Sequence, residues 1–155
     1  MLLTIAIPTF NRASFLEKNL SYLLKQYKKN FKIIVQDNAS YDNTKNVVNK
    51  YIDLGLPIEY ERNSKNLGWA KNFEKCFKKC KTKYIMLIGD DDFLVDGGIE
   101  LILLNLENSN PDLLFVKAFS TNKKVRSRLL PKSEDIINKE EFILKTILQF
   151  RLISS

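Results

Sequence analysis

Short apolar runs that alternate with stretches of helical periodicity constrain this chain more than any other feature of its sequence. Residues 2–8 (LLTIAIP) read as a buried strand, short, apolar and ended by Pro8. Residues 31–36 (FKIIVQ) give a second strand, 57–61 a short third, 83–88 (KYIMLI) a fully buried fourth and 112–119 (DLLFVKAF) a fifth. Helical patterns fill the gaps. Ser14 and Glu17 fit a capping box, with Leu16, Leu20, Leu23, Leu24 and Tyr27 on one face. Asp42 is the expected cap of a helix carrying Val47, Val48, Tyr51 and Ile52. From Leu67 to Cys80, Trp69, Phe73, Cys76, Phe77 and Cys80 make an apolar stripe that places both cysteines and Trp69 in the core or under a lid. Gly97–Gly98 open a helix through Leu106, and Asn138 with Glu141 starts a last one. The order predicts an α/β fold, a mostly parallel sheet with helices on both faces. The 155 residues suit one domain, 1–155.

Several kinds of chemistry are excluded. The chain has no histidine, so Ser-His-Asp triads, Cys-His pairs and His-type zinc sites are impossible. Two cysteines cannot make a disulfide framework. No G-x-G-x-x-G follows the first strand, which removes a dinucleotide-binding dehydrogenase. The net charge of +7 is concentrated in residues 45–83, where ten Lys/Arg face four Asp/Glu. That window reads either as a solvated lysine-rich face or as an attraction for phosphate. Nucleic acid is the weaker partner, because the lysines lack the arginine and aromatic interleaving of a base reader.

In parallel α/β sheets ligands bind beyond the carboxyl ends of the strands. Those ends carry Thr9, Phe10, Asn11 and Arg12 after the first strand, DNASYDNT (37–44) after the second, RNSKNLGWAKN (62–72) after the third and GDDDF (89–93) after the fourth. Asp90, Asp91 and Asp92 are the sharpest feature. Three adjacent carboxylates repel unless something positive is near. A hard cation, Mn²⁺ or Mg²⁺, with phosphate oxygens completing its shell, answers that need. The competing reading is an acidic turn capping the next helix, a task Asp96 and Gly97 could fulfil alone. Asp37 reads equally as an acceptor for a base imide or ribose and as a turn residue bonding its own backbone. Asn66, Leu67 and Gly68 start a helix, so their free N–H groups, with Lys71, make a diphosphate neighbourhood, or a plain helix start with a flexible glycine.

Taken together, TIAIPTFNR, IIVQDNASYDNT, NLGWAKN and YIMLIGDDDFL resemble, in order and spacing over residues 3–108, the family 2 inverting glycosyltransferases of the GT-A fold. The resemblance implies a nucleotide-sugar donor, most often a uridine diphosphate sugar, and a divalent metal. Pro8, Thr9 and Phe10, with Asn11 beside them, resemble the segment that holds the base. Asp37 matches the acidic residue on the uracil imide, and Lys71 sits where the family often has an arginine near base or phosphates. GDDD resembles the metal motif, usually Asp-x-Asp-Asp, with Gly89 in the first place. It implies Asp91 as direct metal ligand, Asp92 as its support and Asp90 near ribose and metal.

The family's catalytic base is a carboxylate well beyond the metal motif. Glu134, Asp135, Glu140 and Glu141 match no such motif, so the base is expected beyond Ser155 and the chain is expected to be the donor-binding part of a longer enzyme with a saccharide, lipid or protein acceptor. The alternatives are another metal-dependent enzyme, a nucleotidyltransferase or phosphotransferase, and a non-catalytic binding module. MLLTIAIP is too short for a signal-peptide core, and no run reaches the ~18–20 apolar residues of a membrane span. The expected compartment is therefore the cytoplasm, with the lysine-rich window able to meet the inner face of an anionic membrane.

Overall fold

The computed structural model describes residues 1–112 together with 114 and 116. The chain divides into two units, Met1–Asp112 and Leu113–Ser155. The first unit runs β1 (Leu3–Thr9), α1 (Ala13–Gln26), β2 (Phe31–Asp37), α2 (Thr44–Asp53), β3 (Ile58–Arg62), α3 (Trp69–Lys79), β4 (Tyr84–Leu87) and α4 (Gly98–Ser109). The fifth strand expected over 112–119 falls, but for Asp112, Leu114 and Val116, outside the described residues, as does the helix expected from Asn138.

The sheet is wholly parallel with order β3-β2-β1-β4. From β1 the chain steps to β2 and β3, then crosses back to place β4 on the other side of β1. The direction of winding thus reverses at β1, and in such sheets ligands bind outside the carboxyl ends of the two strands at the reversal, here β1 and β4. Right-handed crossovers put α1 and α2 over one face and α3 over the other. Side chains alternate accordingly. Ala6 and Ile34, paired in register, face α3 and close around Cys76 with Ile85 and Leu87 beside them. Ile5, Ile7, Ile33 and Val35 point the other way and are buried with Leu16, Leu20 and Leu23 of α1.

Four local expectations change. Pro8 does not end β1, which pairs with β2 through Thr9 opposite Asp37. The Ala6 carbonyl accepts from Ile88 N–H on the β4 side (3.1 Å). Two residues later Pro8 turns its missing donor the same way, past the end of β4, where no ladder bond is lost. The capping box fails as well. Ser14 lies inside α1, whose N-cap is Arg12 without a side-chain cap bond. The orphan N–H of Ala13 instead donates to Asp42 Oδ2 (2.9 Å), while Asp42 Oδ1 accepts from the Thr44 N–H (3.1 Å) and hydroxyl (2.5 Å). One carboxylate therefore ties the starts of α1 and α2. Burial alone would raise its pKa, but the bonds from Thr44 and Ala13 outweigh it and hold Asp42 below the usual value. Next, β4 is half-buried, as suits the edge strand of the described sheet.

The fourth change is on α3, where Trp69 and Phe77 are exposed and the stripe buries only Cys76 and Asn72. Cys80, at the C-cap, is intermediate. Burial pushes the Cys76 thiol up to about 11, so almost none of it is thiolate near pH 8. A thiol-alkylating reagent at that pH is expected to modify Cys80 and spare Cys76 until the chain is unfolded. Equal labelling of both in the native protein, read by peptide mass spectrometry, would show that α3 does not seal this face of the sheet.

Candidate functional site

At the reversal the end of β1 meets the turn after β4. Thr9 Oγ1 donates to Asp90 Oδ2 (2.7 Å), and Asp90 is 5% exposed. Burial pushes the Asp90 carboxyl above its ordinary range. The Thr9 hydroxyl and the Arg12 guanidinium pull it back, and the neighbouring Asp91 charge pushes it further up. Arg12 Nη2 lies 2.5 Å from Asp91 Oδ2, and Arg12 Nε lies 3.0 Å from Asp90 Oδ1. The Nε–H is not directed at that oxygen, so the second contact is an ion pair and not a hydrogen bond.

Asn19 of α1 holds the turn from below. Its Nδ2 donates to the Gly89 carbonyl (3.1 Å) and the Asp92 carbonyl (2.5 Å). Gly89 is where the packing is tightest. A Cβ there would lie 2.9 Å from both Asp91 Oδ1 and Asp92 Oδ2. Two carboxylate oxygens thus converge over one glycine, and a side chain at this position would displace both. α4 has Gly97 at its N-cap and no side-chain cap bond, so neither the acidic triplet nor Asp96 caps it.

Among the described residues no group of three or more His, Cys, Asp and Glu side chains is arranged to hold a metal ion. A Mg²⁺- or Mn²⁺-type site can be built on fewer, with one or two carboxylates and water and substrate phosphate filling the shell. Asp91 Oδ1 and Asp92 Oδ2, the latter accepting from the Gly89 N–H (3.3 Å), are the two carboxylate oxygens here that could hold such an ion.

The β2 end is built from amides. Asp37 is fully buried; its Oδ1 accepts from Ser40 N–H (2.8 Å) and its Oδ2 from the Tyr60 hydroxyl (2.7 Å), with Arg62 Nε 3.9 Å away. Of the two roles suggested for Asp37, the structure shows the bond to its own turn, through the Ser40 N–H. Burial and then the Asp37 bond raise the Tyr60 pKa, keeping Tyr60 a neutral donor. Asn11 and Ala39 both adopt left-handed backbone (φ 53° and 71°), a conformation that costs a non-glycine residue roughly 1–2 kcal/mol. Asn11 repays it by joining two loops: its N–H donates to Ser40 Oγ (2.8 Å) and its Oδ1 accepts from Tyr41 N–H (2.9 Å). Phe10 and Tyr41 meet edge to face beside it, with centroids 6.2 Å apart.

The Asn66–Gly68 corner is less open than its sequence suggests. The Leu67 N–H donates to Asn38 Oδ1 and the Gly68 N–H to Asn66 Oδ1, both at 2.8 Å, so neither awaits a phosphate. Asn66 is nonetheless drawn to the site, because Asn38 Nδ2 donates to its Oδ1 (2.8 Å). Lys71 is exposed on the first turn of α3, and among the described residues no hydrogen bond ties it to this group. The basic window is partly neutralised: Lys75 and Lys79 pair with Glu61 (2.9 and 2.6 Å), Lys78 with Glu74 (2.5 Å) and Lys50 with Glu17 (2.6 Å). The two lysines on Glu61 hold its carboxyl down to about 2.

Arg12, Asn63 and Asn72 lay in the strand-end segments without a role of their own, and Asn19 and Tyr60 belong to this edge although neither was expected there. Two of them leave a trace in the sequence. Asn19 and Asn72 stand at core positions of otherwise apolar helix stripes, where a polar side chain needs a partner.

A parallel sheet that reverses at β1, with an acidic turn at the reversal, defines an α/β domain of the GT-A type. The S. aureus TarS crystal structure shares this fold, with TM-score 0.75 and 24% identity over 86% of this chain and 39% of that one. The chain belongs to glycosyl transferase family 2, whose model matches residues 4–153. It is 33% identical over 111 residues to the abequosyltransferase RfbV of Salmonella typhimurium, an alignment covering 70% of this chain and 33% of that protein. It is 30% identical over 134 residues to the poly(ribitol-phosphate) beta-N-acetylglucosaminyltransferase TarP of Staphylococcus aureus, covering 84% and 39%. The chain thus spans about a third to two fifths of the length of these relatives.

Proposed function

We propose that this chain is the donor-binding part of an inverting glycosyltransferase, one that moves a sugar from a uridine diphosphate donor to a hydroxyl acceptor in polysaccharide or glycoconjugate synthesis. The observation that carries the reading is the Asp90–Asp92 turn at the reversal, bonded to Thr9 and adjoining the Asp37 loop. The names of relatives agree with it: a GalNAc(5)-diNAcBac-PP-undecaprenol beta-1,3-glucosyltransferase of Campylobacter jejuni is 26% identical over 147 residues. TarS has been solved with UDP and with UDP-GlcNAc, and a mannosyltransferase from Pyrobaculum calidifontis of related fold with GDP-Man and Mn²⁺.

In this reading Pro8, Thr9, Phe10 and Asn11 line the base side with Asp37, and Asn66 and Lys71 flank the diphosphate. Asp91 and Asp92 would hold the divalent ion, with Asp90 near ribose and ion. The ion supplies charge stabilisation to the leaving diphosphate. The base that deprotonates the acceptor hydroxyl lies beyond Ser155. Family membership sets aside the nucleotidyltransferase and phosphotransferase alternatives.

Calorimetric titration of UDP with and without Mn²⁺ tests this. Three carboxylates repel a bare diphosphate, so the affinity is expected to rise at least about tenfold with the ion. Equal affinity in both conditions would remove the metal from the donor site.

A further inference from the structure

We propose that Arg12 is the resident counter-cation of the acidic turn, held on Asp91 until a divalent ion displaces it. This rests on the reading of Asp91 as a metal ligand.

The geometry has three parts. First, one guanidinium answers two of the three carboxylates, with Nη2 at 2.5 Å from Asp91 Oδ2 and Nε at 3.0 Å from Asp90 Oδ1. A guanidinium stays charged at any working pH, so it supplies positive charge to these neighbouring carboxylates without an ion. Second, the Arg12 backbone is anchored at the start of α1 while its side chain is partly open to solvent. Its carbonyl accepts the first α1 N–H groups, from Phe15 and Leu16 (both 3.0 Å). The side chain is 41% exposed and lies 4.5 Å over the Phe15 ring, a surface it can keep after leaving Asp91. Third, the fit is incomplete: the buried Nε–H has no acceptor. An unmade bond of that kind opposes a permanent lock.

Asp91 turns Oδ1 toward Asp92 and gives Oδ2 to Arg12, so an ion on the Asp91–Asp92 pair meets the guanidinium charge across a single carboxylate. Metal binding to the free protein must therefore work against the Arg12 pair. Removing Arg12 should tighten metal binding while loosening the metal-free turn, a pair of effects with opposite signs.

The test is titration of Mn²⁺ alone into the metal-free chain, by calorimetry, for wild type, Arg12→Gln, Lys18→Gln and Asp91→Asn. Lys18 lies on the same helix beside Phe93 and controls for loss of a nearby positive charge. Arg12→Gln is expected to bind Mn²⁺ about three- to tenfold tighter, the scale of a half-exposed ion pair, and Lys18→Gln to stay within about twofold. Without metal, Arg12→Gln should melt below wild type and gain more from Mn²⁺. If Asp91→Asn loses Mn²⁺ while Arg12→Gln binds it no tighter than wild type, the Arg12 proposal is overturned and the donor site stands. If Asp91→Asn binds Mn²⁺ as wild type does, the ion sits elsewhere and both fall. Should Arg12→Gln fail to fold, Arg12→Lys takes its place. A point charge without the two-pronged fork is expected to tighten Mn²⁺ binding by a smaller factor, and no change overturns the proposal.

Discussion

Asp91→Ala is expected to weaken Mn²⁺-dependent UDP binding by at least about a hundredfold, since loss of an outer-shell partner alone costs a metal site 10–100-fold. The same change should leave stability within about 0.5 kcal/mol of wild type. The two effects separate because Asp91 is exposed, with its side chain 49% accessible. Losing it removes one half-exposed ion pair and also one of three crowded negative charges, and these partly cancel. The buried Asp90 and its bond to Thr9 remain. Parallel UDP titrations and thermal melts check both effects. UDP affinity that survives the substitution would assign the metal to other groups, and a collapsed melting temperature would make Asp91 a structural residue.

Asn63→Ala should do the reverse, destabilising the fold by about 2–4 kcal/mol through unmade buried hydrogen bonds and a small void. Asn63 is 3% exposed and sits where β2, β3 and α3 meet. Its Nδ2 donates to Asn38 Oδ1 (3.0 Å) and Asn72 Oδ1 (2.8 Å), and its Oδ1 accepts from Gln36 Nε2 (3.1 Å) and Lys75 Nζ (2.8 Å). Asn72 Nδ2 in turn donates to the Gln36 carbonyl (2.9 Å). Alanine strands several of these partners in a region closed to water. For a domain of this size the loss corresponds to about 5–15 °C in melting temperature. UDP binding should weaken too, because Asn38 carries the network on to Asn66 and the Leu67 N–H. A melting temperature within about 2 °C of wild type would mean that the amides rearrange or admit water at little cost.

The strands and helices were legible because each signal is local. The apolar runs at 3–7 and 33–35 can only be buried, and the Leu16-Leu20-Leu23 spacing permits only one helix face inward. The acidic turn was legible because three adjacent carboxylates need an explanation wherever they occur. Helix starts were misjudged for a physical reason. The carboxylate that caps α1 comes from Asp42, 29 residues away, so no spacing rule could find it. Trp69 and Phe77 show the converse: helical spacing sets which residues share a face but not whether anything covers it.

By itself the sequence determined the parallel α/β architecture and the edge at which the chemistry collects. Hydrophobic period and strand-end composition depend only on near neighbours along the chain. Tertiary structure alone decided that Thr9 bonds Asp90 across 81 residues, that Arg12 pairs with Asp90 and Asp91, and that a chain of asparagines fastens two strand ends to α3. A hydrogen bond or ion pair requires particular atoms within about 3 Å of one another, and for residues far apart in sequence only the folded sheet supplies that proximity.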